Sequence, residues 1–136
     1  MTLQPVILDT DVASRLHKGT LTDPLGSRLI GRRPLITFVT YGELTKWTEV
    51  RDWGGRRRQE LADWLVGIPV LIGDEAVAVT WGRLAAAGHK AGRPQPNNDM
   101  WIAATCLTHD LPLATLNLKD YRYFQEKHGL RILGEE

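Results

Sequence analysis

Residues 5–10, Pro-Val-Ile-Leu-Asp-Thr, form a short apolar run that stops abruptly at a carboxylate. A continuous apolar stretch, stiffened by proline and closed by a turn signal, has the pattern of a strand buried on both faces. Such a strand needs parallel neighbours beside it and helices above and below. It also puts Asp9 at the strand's carboxyl end, where open α/β sheets place their ligand sites. Glu43, Asp99 and Asp120 each fall near the edge of another apolar segment. If those segments pack beside the first strand, the carboxylates converge on one cleft.

The rest of the chain supplies the required parts, because helical and strand patterns alternate throughout. Helices are expected over 11–17, from Asp23-Pro24 to Ile30, from Val39 past Trp47 to the Gly54-Gly55 break, and from Arg56 through Leu65. Strands are expected at 35–38, 68–72 and 111–116, with a fifth at 131–133. Gly73-Asp74 caps an alanine-rich helix that Gly88 ends, and 89–97 (HKAGRPQPN) is a polar, proline-broken loop. Asn98-Asp99 then opens a helix carrying Ile102, Cys106 and Leu107. The expected fold class is α/β with a largely parallel central sheet, and residues 1–136 fit a single domain.

No apolar run approaches the ~20 residues of a membrane span, and no signal-peptide pattern opens the chain. Cys106 is the only cysteine and can form no internal disulfide, which suits a cytoplasmic protein. His17, His89, His109 and His128 show no zinc-ligand spacing, so no structural zinc is expected. The net charge of +1 says little about partners.

Asp9 has two readings: a helix cap, or a buried carboxylate that needs a cation, since an unpaired charge at a strand end is costly. Asp11 falls on the same side by strand alternation and is a further candidate. Asp99 lies in Asn97-Asn98-Asp99, where two adjacent potential caps leave one side chain free. A glutamate on an amphipathic helix usually faces solvent, but Glu43 has the less polar neighbours Val39, Thr40, Tyr41, Gly42 and Leu44. Carboxylates from separate segments, without a His or Cys cluster, make a hard-oxygen site suited to Mg²⁺ or Mn²⁺ and to phosphoryl chemistry. Arg56-Arg57-Arg58 and the HKAGR stretch are candidate phosphate contacts. Of the five tryptophans, Trp64 and Trp81 are expected in the core, whereas Trp47 and Trp53 beside Gly54-Gly55 are expected to be partly exposed at a protein interface.

Four stretches carry a more specific signal: VILDTDV (6–12), ITFVTYGEL (36–44), NDMWIAATCLTHDLPLATLNLKDY (98–121) and GLRIL (129–133). In this order the chain resembles PIN-domain nucleases, in particular the VapC toxins of bacterial type II toxin–antitoxin pairs. The resemblance implies a PIN-like three-layer α/β/α fold and a Mg²⁺-dependent endoribonuclease, with Mn²⁺ as an alternative ion. It implies cleavage of a structured cellular RNA (tRNA or rRNA), inhibition of translation, restraint by a cognate VapB-type antitoxin, and a homodimer. It places Asp9, Glu43 and Asp99 in the acidic site, with Asp9 and Asp99 on the metal and Glu43 orienting water or completing the metal shell. Asn117 and Asp120 become supporting residues. Asp11 stands where the family usually has a small uncharged residue, and Asn117 offers no charge to a second metal.

Two rivals differ in class. Residues 6–12 also fit the start of a haloacid-dehalogenase-type phosphotransferase, with Asp9 as nucleophile and Asp11 as general acid. That fold's last acidic motif follows a strand, whereas Asp99 follows a loop and opens a helix. The other rival is a non-catalytic α/β binding domain whose acids only cap helices. A Rossmann cofactor site is disfavoured, because no G-x-G-x-x-G follows the first strand.

Overall fold

The computed structural model describes residues 3–136. In chain order the elements are β1 (Gln4–Leu8), α1 (Thr10–Lys18), α2 (Leu25–Leu29), β2 (Arg32–Thr37), α3 (Phe38–Val50) and α4 (Gly55–Val66). They continue with β3 (Val70–Leu71), α5 (Glu75–Lys90), α6 (Asn97–His109), β4 (Leu113–Ala114) and α7 (Leu118–His128). The four strands form one parallel sheet in the order β3-β2-β1-β4. The first strand is therefore central, with Ile7 opposite Leu35 on one side and Leu113 on the other.

Strand alternation divides β1 between two cores. Ile7 and Leu35 point into a cluster built by Val77 and Leu84 of α5, Ile102 of α6 and Phe124 of α7. Val6, Leu8 and Ile36 point the other way, against Val12 of α1, Leu25 of α2, Leu44 of α3 and Leu61 of α4. Helices thus cover both faces, giving the three-layer α/β/α arrangement. The chain leaves β1 for β2 and β3 on one side and returns to β4 on the other. A sheet that switches direction in this way opens a crevice at the carboxyl end of its central strand.

Several boundaries differ from expectation. Residues 131–133 add no strand: Ile132 makes an isolated parallel bridge to Leu113. The pairing at 68–72 and 111–116 contracts to two residues in each case. Helix α5 passes through Gly88 to Lys90, and α6 already includes Asn97, so the loop shrinks to 91–96. Gly88 sits against the Arg93 carbonyl, where an added Cβ would be 3.0 Å from the oxygen, so packing rather than helix termination uses this glycine.

Trp53 corrects a further expectation, because it is 8% exposed and belongs to the core of α1–α4. Asp52, in the left-handed region at φ 49°, turns the chain back after α3. The Arg57 guanidinium then lies 4.0 Å from the Trp53 ring centroid. Trp47 is half-buried, with Arg51 over its ring at 4.9 Å. Trp64 and Trp81 are half-buried as well, Trp81 stacked on Trp101 at 4.9 Å. Trp53→Ala should cost about 3–5 kcal/mol, the usual range for truncating a core aromatic. Thermal melting of Trp53→Ala beside Trp47→Ala checks this, with the larger fall expected for Trp53→Ala.

Candidate active site

The turn from β1 into α1 places Asp9, which is 3% exposed. One carboxylate oxygen accepts the Val12 backbone N–H at 2.9 Å and caps α1. The other accepts the Thr115 hydroxyl at 2.5 Å. Thr115 in turn accepts the Asn117 N–H at 2.9 Å, so one hydroxyl ties the loop after β4 to the end of β1. Asp9 thus caps α1 while its other oxygen is held by the loop after β4.

Glu43 arrives from α3, whose first turn is capped by Thr37 through the Thr40 N–H at 3.2 Å. Its Oε1 accepts the Thr10 hydroxyl at 2.6 Å, and Thr10 lies 3.0 Å from the Thr40 hydroxyl. Its Oε2 meets only the Asn98 amide, at 3.4 Å. The sequence offers Asn98 or Asp99 as the cap of α6, yet neither serves as one. The helix begins earlier, with Pro96 in the N-cap position and no side-chain cap bond. That shift puts Asp99 within the first turn, where the helix dipole favours an anion, and leaves its side chain for the cleft and that of Asn98 for Glu43. The Tyr121 hydroxyl donates to Asp99 at 3.4 Å.

Asp9, Glu43, Asp99 and Asn117 line one cleft of about 150 Å³, together with Asp11 and Tyr121. Asn117 holds the N-cap position of α7 without a side-chain cap bond. Asp11 is also engaged with Arg15 at 3.3 Å. Asp120 is exposed in the first turn of α7 and does not line the cleft, although its charge acts on Asp99. Four of the five expected site residues therefore share the cleft and Asp120 stands outside it.

Electrostatics mark the cleft as deficient in positive charge. Burial pushes the Asp9 carboxyl up to about 6, with Asp11 and Asp99 adding to the rise and the Thr115 and Val12 hydrogen bonds opposing it. Asp99 is raised first by burial and then by Asp120 and Glu43, against the pull of Tyr121. Tyr121 is raised above the ordinary phenol range by burial and by Asp99 and Asp9, which keeps it a neutral donor. The donors are oxygens, and a hard divalent cation would relieve the repulsion among them. Among the described residues no three His, Cys, Asp or Glu side chains form a ready-made cage. Mg²⁺ commonly binds through one or two carboxylates, with water and substrate phosphate completing its shell.

Thr10, Thr40, Thr115 and Tyr121 were not singled out as site residues from the sequence. Thr115 and Tyr121 do lie in the quoted 98–121 stretch, and a hydroxyl inside a conspicuous acidic pattern is the available signal. The expected basic contacts are partly spent on the fold. Arg58 donates to the Trp53 carbonyl at 2.6 Å and to Glu49 at 2.8 Å, and Arg93 lies over Tyr123 at 4.9 Å.

Comparison with known proteins agrees with this architecture. Residues 6–125 match the PIN domain model. Ribonuclease VapC1 of Haemophilus influenzae (strain R2866) is 29% identical over 122 residues, covering 85% of this chain and 89% of that protein. Among solved structures, VapBC-1 from nontypeable Haemophilus influenzae superposes with a TM-score of 0.75 at 26% identity, covering 95% and 96% of the two chains. VapBC-5 from Mycobacterium tuberculosis gives 0.71 at 27% identity, covering 95% and 97%. With the family pattern spanning both the central strand and the helix that brings Asp99 to it, the chain belongs to the PIN domain family.

Proposed function

We propose that the acidic cleft is the active site of a Mg²⁺-dependent endoribonuclease of the VapC toxin type. The observation that carries this reading is the convergence of Asp9, Glu43 and Asp99 from three separate elements on one cleft, where burial and neighbouring carboxylates raise Asp9 and Asp99. Curated relatives named as ribonucleases support the choice of RNA as substrate. Asp9 and Asp99 would hold the cation, which supplies charge neutralisation for phosphodiester cleavage when bound. Glu43 keeps one oxygen on Thr10 and has the other only weakly engaged, leaving that oxygen free to accept a proton from water and orient it. Thr115 fixes the Asp9 carboxylate, and Tyr121 stays protonated and donates to Asp99.

The test is incubation of the protein with radiolabelled RNA and with a phosphate monoester, each with Mg²⁺, Mn²⁺ or EDTA. Metal-dependent RNA cutting with no monoester hydrolysis is expected. Monoester hydrolysis would favour the dehalogenase-type phosphotransferase, and neither activity would favour a binding module. Sequencing fragment 5′ ends after induced expression would show whether a tRNA or an rRNA is cut.

Asn117 and Asp120 should act in a graded way. Asn117→Asp adds a charge to the cleft wall and should lower the Mg²⁺ concentration for half-maximal cleavage, since ligand charge raises affinity for a hard cation. Asp120→Ala should cost far less than loss of Asp99, because Asp120 acts on the cleft only through its charge. Metal titrations of cleavage for both variants check these outcomes.

A VapB-type antitoxin is the proposed protein partner, in keeping with the solved VapBC structures that this fold matches. Of the two tryptophans expected at the interface, Trp47, half-buried on the cleft wall, remains the aromatic contact. A cytoplasmic homodimer completes the reading, and sedimentation of the purified protein tests that assembly.

A further inference from the structure

A second cleft, of about 350 Å³, adjoins the acidic one across the loop after β4. Thr115 and Leu116 line it, while Asn117, the next residue, lines the acidic cleft. The loop is pinned by the Thr115 hydroxyl to Asp9, so the two clefts share one wall. Leu25, Leu118 and Leu133 give the second cleft apolar sides, and Leu116 is 42% exposed. Two charged groups of opposite sign, Arg28 and Glu135, stand among them.

Arg28 makes no side-chain hydrogen bond or ion pair among the described residues. Its guanidinium rests against Gly134, where an added Cβ would overlap it. Gly134 has a φ of +88°, so both its backbone and its missing side chain make room for the arginine. Glu135 is held loosely by Arg122 at 3.5 Å, and its side chain keeps 33% exposure.

We propose that this cleft seats an unstacked guanine base of the RNA beside the scissile phosphate. The inference rests on the ribonuclease reading of the acidic cleft. Sequence-specific RNA recognition mostly uses bases splayed out of single-stranded segments and packed against side chains. The apolar lining of the cleft suits the face of a planar base. Arg28 supplies donors for the guanine O6 and N7 acceptors, the commonest specific arginine contact. Glu135 supplies an acceptor for the guanine N1–H and amino group. Adenine would set its amino donor against Arg28 and its N1 acceptor against Glu135, so the same pair rejects it. An apolar side chain from a protein partner would leave both charges unanswered.

Methyl-labelled protein titrated with guanosine 5′-monophosphate and with adenosine 5′-monophosphate tests the subsite without any catalysis. Guanosine monophosphate should shift the methyl signals of Leu25, Leu116, Leu118 and Leu133, and adenosine monophosphate should do so far less. Single-stranded RNAs differing in one base beside the cut should then show a preference for guanine of roughly 10-fold. Arg28→Ala and Glu135→Gln, both melting as the parent does, should lose that preference. Equal shifts with both nucleotides, or shifts elsewhere, would overturn the proposal. RNA cutting with no base preference would also overturn it while the nuclease reading stands. Guanine-selective shifts in a protein that cuts no RNA would keep the subsite and remove the nuclease.

Discussion

Asp99→Asn should abolish RNA cleavage in a protein that remains folded. Residues that merely support a metal's ligands typically cost 10–100-fold when changed, so loss of a carboxylate on the cation should reach at least roughly 100-fold. The substitution is clean at this position. Asp99 sits in the first turn of α6 without serving as its cap, so Asn removes charge and little else. It also relieves the repulsion from Asp120 and Glu43 that raises the Asp99 carboxyl. Cleavage should therefore collapse while the melting temperature holds, and a Mg²⁺-induced rise in melting temperature should shrink with it. Full RNA cutting by folded Asp99→Asn protein would remove Asp99 from the metal.

Asp9→Asn should be equally inactive and, without metal, more stable than the parent at neutral pH. The sign follows from the raised carboxyl. Folded Asp9 holds its proton up to about pH 6, whereas the ordinary value is 3.8. As pH rises through that window the unfolded chain loses its proton first, so the native state loses stability between about pH 4 and 6. The loss reaches about 3 kcal/mol at most and is constant above the window. Asp9→Asn is free of this penalty and retains an oxygen for the Val12 N–H. Metal-free melting curves should coincide near pH 4 and separate by about pH 7.5, with the variant higher. Added Mg²⁺ should recover part of the difference in the parent alone. A variant less stable than the parent at both pH values would mean that the Thr115 contact outweighs desolvation.

What could be read in the sequence was whatever local pattern reports. The unbroken apolar run before Asp9 specified a central parallel strand, and Leu113 and Leu35 do flank it. Asn98-Asp99 after a proline-broken loop marked a helix start with a spare carboxylate; the structure frees both residues, because Pro96 takes the cap position. Missed features depend on long-range closure or on backbone geometry. Thr115 meets Asp9 across a separation of 106 residues, and no periodicity records that contact. Trp53 turns inward because Asp52 adopts a left-handed conformation, which a Gly-Gly break nearby does not reveal. Arg58 looked like part of a basic surface, but the end of α3 leaves the Thr48 carbonyl needing donors, and Arg58 supplies one at 3.1 Å.

The central strand also sets a timetable. Its partner β4 is the last strand of the sheet to be synthesised, although β1 is the first. At about 5–20 residues per second, roughly 5–20 s pass on the ribosome between Asp9 and the threonine that holds it, 106 residues later. Throughout that interval one edge of β1 lacks its neighbour and Asp9 lacks its Thr115 partner. A chain interrupted before Leu113 would therefore expose an unpaired apolar edge of β1 prone to aggregation.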